Sequence, residues 1–250
     1  MEPGKKIYFA SDFHLGVPDK ASSLERERRV IRWLDEAQKD AQEIFLVGDV
    51  FDFWFEYKKA IPKGFARLQG KIAEITDSGI PVHFFIGNHD MWAFGYFEEE
   101  LGVKMYRDNA TFDFGGKKFL VGHGDGLGPG DHGYKFIKKV FANPFLQWAF
   151  GWIHPNIGIG LANFFSGRSR QANQMEDQIF LGEENEWLVS YCKDKLKEEY
   201  FDYFIFGHRH LPLDIEVGQG SRYINLGEWV FNNTYAVFDG KELKLLKYEK

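Results

Sequence analysis

Short apolar runs recur along the chain, each closing on a polar or glycine-rich cluster: Lys6–Ala10, Glu43–Val47, Pro81–Ile86, Lys118–Val121 and Tyr203–Phe206. Their length and their flanking breakers read as buried strands. Between the first two, Ser23–Gln38 carries Leu24, Val30, Ile31, Trp33, Leu34 and Ala37 on a helical period among many charges. A second helix is predicted over Lys63–Asp77, where Phe65, Leu68, Ile72 and Ile75 recur at helical steps. Strand, helix, strand, helix, strand is the opening of an α/β sheet. Further on, Ser221–Leu226, Thr234–Phe238 and Glu242–Tyr248 read as strands, with Asp239-Gly240 as a hairpin turn, and predict a second sheet packed on the first. No repeat, low-complexity stretch or linker divides residues 1–250, which read as a single domain.

One segment departs from this pattern. From Val140 to Gly167 there are 28 residues without Asp, Glu, Lys or Arg. The run is long enough for a membrane span. However, Asn143, Pro144, Gln147, His154, Pro155, Asn156 and Asn163 interrupt it, and hydrocarbon would leave those groups unsatisfied. Two short apolar helices separated by His154-Pro155-Asn156 are expected instead.

Composition narrows the class. Hydrophobic residues make up 44% and charged residues 27%, as in a folded globular protein. The aromatic share, 18%, fits either an aromatic-rich core or apolar surface used for binding. A net charge of -6 argues against nucleic acid as a partner, because such binding runs on neutralised phosphates. Cys192 stands alone, which excludes an internal disulfide and fits a reducing compartment. The apolar run Ile7 to Ala10 is too short for a signal-peptide core, so a cytoplasmic location is expected.

The strand ends carry the candidate chemistry. Asp12 and His14 follow the first strand, Asp49 the second, Asn88, His89 and Asp90 the third, His123 and Asp125 the fourth, and His208 and His210 the fifth. In open α/β sheets ligands bind at the carboxyl ends of strands, so these scattered residues should converge on one crevice. Two divalent metals held side by side need a bridging anion, and a carboxylate such as Asp49 can give one oxygen to each. Neutral imidazoles and an amide complete the shells without cancelling the positive charge that must bind phosphate. Gly48, Gly87, Gly122 and Gly207 each precede a candidate ligand, as expected where backbone passes close to the metals. Any one such motif alone would read as a helix cap or turn. Five in order, each at the end of an apolar run, point to a metal site.

Together, Asp12-Phe13-His14, Gly48-Asp49, Gly87-Asn88-His89-Asp90, Gly122-His123 and Gly207-His208-Arg209-His210 resemble the signature of the calcineurin-like metallophosphoesterases. The resemblance implies a four-layer α/β/β/α sandwich. It implies one metal held by Asp12, His14, Asp49 and His210, and another held by Asp49, Asn88, His123 and His208. By the same match His89 sits beside the scissile phosphate, stabilising it or protonating the leaving group. Asp90 either orients His89 or its loop, or caps a helix. His83 reads as a core residue.

Successive motifs are 37, 39 and 35 residues apart from Asp12 through Asp49 and Asn88 to His123, but 85 separate His123 from His208. The excess predicts a helical lid at about 130–185. It contains the uncharged run, bracketed by Lys135, Lys138 and Lys139 and by Arg168 and Arg170. Such a segment suits a phosphate-bearing amphiphile or an anionic membrane surface, and a dimer contact would explain the same apolarity.

Gly48 to Tyr57, His123-Gly124-Asp125-Gly126-Leu127, Asp131-His132-Gly133-Tyr134 and Ser169-Arg170-Gln171-Ala172-Asn173 resemble, more narrowly, the UDP-2,3-diacylglucosamine diphosphatases of lipid A biosynthesis. That resemblance implies hydrolysis of a lipid-linked nucleotide to lipid X and UMP, at the inner face of the inner membrane, with a pair of manganese ions. Fe and Zn suit the ligand set too. It also implies that Asn88, His89, Asp131, Tyr134, Ser169, Asn173 and His208 contact substrate, with His89, Asp49 and Asn88 as the catalytic group. The best-known branch of the family has Arg after the metal-binding Asn, where this chain has His89, a group able to donate a proton near neutral pH. The rival readings are another phosphoesterase acting on a nucleotide-linked or lipid ester, and a scaffold that binds without catalysis.

Overall fold

The structure is a computed structural model that describes residues 1–128, 132–162, 180 and 182–249, with backbone alone at 132–134. A six-stranded sheet contains β1 (Lys6–Ala10), β2 (Ala41–Val47), β3 (Val82–Phe85), β4 (Lys104–Tyr106), β10 (Thr234–Phe238) and β11 (Leu243–Lys247), in the order β11-β10-β1-β2-β3-β4. A five-stranded sheet contains β5 (Ala110–Phe114), β6 (Lys117–Val121), β7 (Tyr203–Phe206), β8 (Pro212–Gly218) and β9 (Ser221–Leu226), in the order β5-β6-β7-β9-β8. β1, β2, β3 and β4 run parallel, as do β6, β7 and β9. The parallel strands of each sheet therefore end along one rim.

Alternation along the strands fills three apolar layers. Tyr8, Ala10, Ile44, Leu46 and Phe84 face α1 (Lys20–Ala37), α2 (Ala66–Asp77) and α3 (Tyr96–Leu101), meeting Trp33, Leu34, Ile72 and Phe97. Their neighbours Ile7, Phe9, Phe45, Val47 and Phe85 face the second sheet and pack on Phe119, Val121, Ile205 and Ile224. The far side of that sheet, with Leu120, Phe204, Phe206 and Tyr223, is covered by Leu188, Val189 and Cys192 of α6 (Trp187–Glu198). Helices, sheet, sheet and helix form the four-layer α/β/β/α arrangement. The aromatic residues thus supply much of the core, and Cys192 and His83 are buried within it.

The predicted C-terminal sheet is corrected. Only β9 joins the second sheet; β10 pairs antiparallel with β1, Ile7 opposite Phe238, and β11 follows it. The reason is that β10 is apolar on both faces. Ala236 and Phe238 enter the layer between the sheets, while Tyr235 and Val237 pack toward the helices, and a place beside β1 offers both covers. α3, β4, β5, α6 and β8 were not predicted; the three-residue β4 and the half-exposed β8 carry too little apolar pattern to register.

Within the uncharged segment two short helices lie on either side of the turn at His154, as expected, and a lysine-bearing helix runs into its start. α4 (His132–Phe141) and α5 (Pro144–Phe150) are separated at Asn143, whose side chain accepts the N–H groups of Phe145 and Leu146 while Pro144 opens the next helix. Residues 155–162 are again helical, after the turn at His154. Phe150 anchors the segment, its ring 4.8 Å from Phe55 and Trp92 and 6.5 Å from Phe53. Much of the rest is open: nine of the fifteen exposed large hydrophobics among the described residues fall between Phe136 and Leu161, with Trp152 76% and Phe136 68% exposed. No described helix is long and apolar enough to cross a membrane.

Candidate metal centre

The loops after β1, β2, β3, β6 and β7 bring the predicted residues together. Asp12, His14, Asp49 and His210 present ligand atoms within 4.8 Å of one another, as do Asp49, His123 and His208. Asn88 joins the second group through Oδ1, 3.2 Å from His123 Nε2. Asp49 is common to both. Its Oδ1 accepts the His89 N–H at 2.9 Å, and its Oδ2 lies 3.9 Å from His14 Nε2 and 3.3 Å from His123 Nε2, so a single oxygen faces both groups.

The backbone is strained where these side chains turn inward. Asp12, His14, Asp49, His208 and His210 have φ between 43° and 67°, five of the eight non-glycine residues with positive φ among those described. That region is costly for residues with a Cβ, and such strain gathers where a site over-determines the conformation. The preceding glycines make room. A Cβ on Gly87 would collide with Asp49 Oδ1, and one on Gly207 with Asp12 Oδ2. At Gly122 the obstacle is the Asn109 side chain instead of a candidate ligand.

The donor set fits metal ions. His123 Nδ1 donates to the Val47 carbonyl at 2.9 Å, which leaves Nε2 facing the oxygens of Asn88 and Asp49. A neutral imidazole there would set a lone pair against two acceptors; a cation among the three turns that repulsion into attraction. His14 Nε2 and His210 Nε2 likewise stand 3.0 Å apart, at 3.6 and 3.3 Å from Asp12 Oδ1, an oxygen that accepts no hydrogen bond among the described residues. Burial pushes the Asp12 carboxyl up, but His14 and His210 hold it well below the usual carboxylate range. Burial acts likewise on Asp49, and the neighbouring His123 and His89 overcome it. Burial also pushes His123 down, and Asp49 more than compensates, raising it well above an ordinary imidazole. His208 is pushed down to about 4, by burial first and then by the charge of His123.

Around this cluster, Asp90 resolves to one of its expected roles. Its carboxylate accepts the Gly87 N–H at 2.7 Å and the Val50 N–H at 2.9 Å, tying the β3 loop to the β2 loop. It caps no helix. Burial and the Asp49 charge push its pKa up to about 7. Asp52 was not singled out from sequence, although it lies three residues past Asp49. Its carbonyl accepts the His89 Nδ1 proton at 2.8 Å, and its Oδ1 stands 3.6 Å from His14 Nδ1. Arg26 was also missed; it reaches from α1 to the His14 carbonyl at 2.7 Å. His89 itself is pushed down to about 4, chiefly by burial and against the pull of Asp49. Asp131, Ser169 and Asn173 lie outside the described residues, and of Tyr134 only the backbone in α4 is described.

Two sheets whose rims gather Asp, Asn and His into paired groups define a metal-dependent phosphoesterase, and the chain belongs to the calcineurin-like phosphoesterase family, whose profile matches residues 5–212. Members of this class work with a pair of metal ions. The chain is 37% identical to a Porphyromonas gingivalis protein named UDP-2,3-diacylglucosamine hydrolase, over 98% of each. It is 25% identical to a Shewanella protein of the same name, over 98% of this chain and 99% of that one. Among solved structures, the Yfce phosphoesterase from E. coli aligns with a TM-score of 0.48 at 16% identity, covering 98% of this chain and 100% of that one.

Proposed function

We propose that this enzyme hydrolyses the pyrophosphate of UDP-2,3-diacylglucosamine, releasing lipid X and UMP. The observation that carries the reading is the exposed aromatic surface of α4, α5 and residues 155–162, anchored by Phe150 on Phe53, Phe55 and Trp92 next to the metal-type cluster. A phosphoester site beside an apolar face matches a substrate that joins acyl chains to a diphosphate. The near-full-length likeness to the Porphyromonas protein supports the same substrate.

In this reading Asp12, His14, Asp49 and His210 would hold one ion, and Asp49, Asn88, His123 and His208 the other, Asp49 serving both. When bound, the metal pair supplies positive charge to the phosphate oxygens and acidifies water for in-line attack. Manganese is the proposed metal. His89, its Nδ1 donating to the Asp52 carbonyl, would stand beside the scissile phosphate, whose negative charge favours the imidazolium; in that form its Nε2–H would neutralise charge and pass its proton to the leaving phosphate. The P–O–P bridge breaks as water oxygen bonds to phosphorus. Asp131, Tyr134, Ser169 and Asn173 would contact the glucosamine phosphate half. The segment at about 130–185 would act as a lid, its aromatics meeting acyl chains at the inner face of the inner membrane.

Purified protein with Mn²⁺ should cleave UDP-2,3-diacylglucosamine far more efficiently than bis(p-nitrophenyl) phosphate. Turnover of the aryl ester alone would remove the lipid assignment and leave the metal site standing.

A further inference from the structure

A cavity of 260 Å³ lies between the rims of the two sheets, lined at the ends of β3, β4 and β6 and reaching His123 and Asp125. It flanks the cluster on the His123 side, whereas α5 packs on Phe53, Phe55 and Trp92, around the Asp52 and His89 loops. We propose that this cavity seats the nucleotide half of the substrate, a nucleoside 5′-monophosphate unit. The inference rests on the reading of the enzyme as one that splits a nucleotide-linked lipid.

The two halves of such a substrate need unlike walls. Acyl chains need apolar surface; a nucleotide needs a flat face for the base, acceptors for ribose hydroxyls and cations for phosphate. The cavity lining offers a group for each, the Tyr106 ring, the Asp108, Asp125 and Asn109 side chains, and Arg107 with Lys138. Tyr106 supplies a ring held in place before any ligand arrives: it stacks on Phe85 at 4.6 Å with 12° between planes, and its hydroxyl meets His83 Nδ1 at 3.0 Å. His83 Nε2 in turn meets Glu43 Oε2 at 2.7 Å, and its ring stacks on Phe45 at 4.2 Å. None of these three polar residues touches the metal-type cluster. A fixed ring costs little entropy when a base settles against it.

Arg107 follows Tyr106 directly. Its Nη2 donates to the Ala93 carbonyl at 2.6 Å, which fixes the guanidinium, while Nε and Nη1 make no hydrogen bond among the described residues. Those donors suit a phosphate. Asp125 offers carboxylate oxygens and is itself held by Lys138 of α4 at 2.5 Å, and Asn109 adds an amide. The volume is below the roughly 300–1,000 Å³ of pockets for drug-sized ligands, a scale for one nucleoside and not for paired acyl chains.

The test uses the full chain loaded with Mn²⁺, UMP as the probe, and two variants. Leu127→Trp fills the cavity from its wall, and Arg107→Ala removes the proposed phosphate donor without touching the core. Calorimetry should show UMP binding weakened about tenfold or more in both, equivalent to about 1.4 kcal/mol. The ratio of kcat/KM for UDP-2,3-diacylglucosamine to that for bis(p-nitrophenyl) phosphate should fall by a similar factor. Wild-type protein that does not bind UMP, or UMP affinity equal to wild type in both variants, would overturn the seat. Wild type that binds UMP in a variant-sensitive way yet fails to cleave the lipid would sustain the seat and remove only the lipid substrate.

Discussion

The loops at the sheet rims and the helical segment at 132–162 solve opposite problems with opposite means. The rim loops bury much of their polar chemistry: Asp12, His14, Asp49, Asp52, Asp90 and His123 are buried and Asn88, His89, His208 and His210 partly so, in a backbone bent in places through left-handed conformations. The helical segment leaves large apolar side chains in the open, Phe145 at 67% and Trp148 at 59% exposed, and is tied down mainly through Phe150 and the Lys138–Asp125 pair. Buried polar atoms are tolerated only when something satisfies them, and exposed aromatics persist when something covers them in use. The first region gathers buried donor atoms of the kind that hold metal ions, and the second presents an aromatic surface. In the proposed function the first region does the chemistry and the second selects the substrate.

Substitutions should divide along the same line. The largest effect is expected from Asp49→Asn, which removes the oxygen that faces both ligand groups. Activity on every substrate should fall at least as far as when an oxyanion donor is lost, about 10²–10³-fold, and metal content measured by mass spectrometry should drop with it. Next, Asp52→Ala frees the imidazole of His14 from its neighbouring carboxylate, and a loss of about 10–100-fold on lipid and aryl substrates alike is expected, as for other groups that orient metal ligands. Smaller again, Trp148→Ser with Trp152→Ser should lower kcat/KM about tenfold for the acylated substrate while sparing the aryl ester, each exposed ring contributing part of the loss. An equal loss on both substrates would show that the rings support the fold and erase the contrast between the two regions.

The smallest effect is expected at the far end of the sheet, away from both regions. Asp40 accepts from Tyr8 at 2.7 Å and pairs with Lys6 at 2.7 Å; burial pushes its carboxyl up, and these two partners hold it below the usual range. A carboxylate depressed in the folded state adds stability above its unfolded pKa, and that stability is lost as pH falls through the folded pKa. Asp40→Asn should cost about 0.5–1 kcal/mol at pH 7, less as the medium becomes acid, with activity unchanged. Denaturant melts at pH 7 and pH 3 would measure it; a cost that grows with acidity would reverse the assigned sign.

The rim site was legible in sequence because each candidate follows an apolar run and a glycine, and strand ends converge whenever the sheet is parallel. The seven candidates Asp12, His14, Asp49, Asn88, His123, His208 and His210 do gather. Asp52 escaped notice because it follows no glycine at a strand end; only the fold brings its carbonyl to His89 and its carboxylate to His14. Arg26 escaped because it reaches the site from the middle of a helix that reads as an ordinary amphipathic one. The sheet membership of β10 was illegible for another reason. Alternation reports how many faces are covered, not which neighbour covers them, and only the pairing of Ile7 with Phe238 decides that. The turn between the two short helices of the uncharged segment was legible in His154-Pro155-Asn156, because proline cannot continue a helix from the residue before it.

The most direct test of metal-dependent lipid hydrolysis is to incubate UDP-2,3-diacylglucosamine with the purified chain and follow products by mass spectrometry, with EDTA and then with Mn²⁺ restored. The prediction is lipid X and UMP in equal amounts, none in chelator, and recovery on adding the metal. Cleavage that persists in EDTA, or none in Mn²⁺ while the protein stays folded, would contradict it.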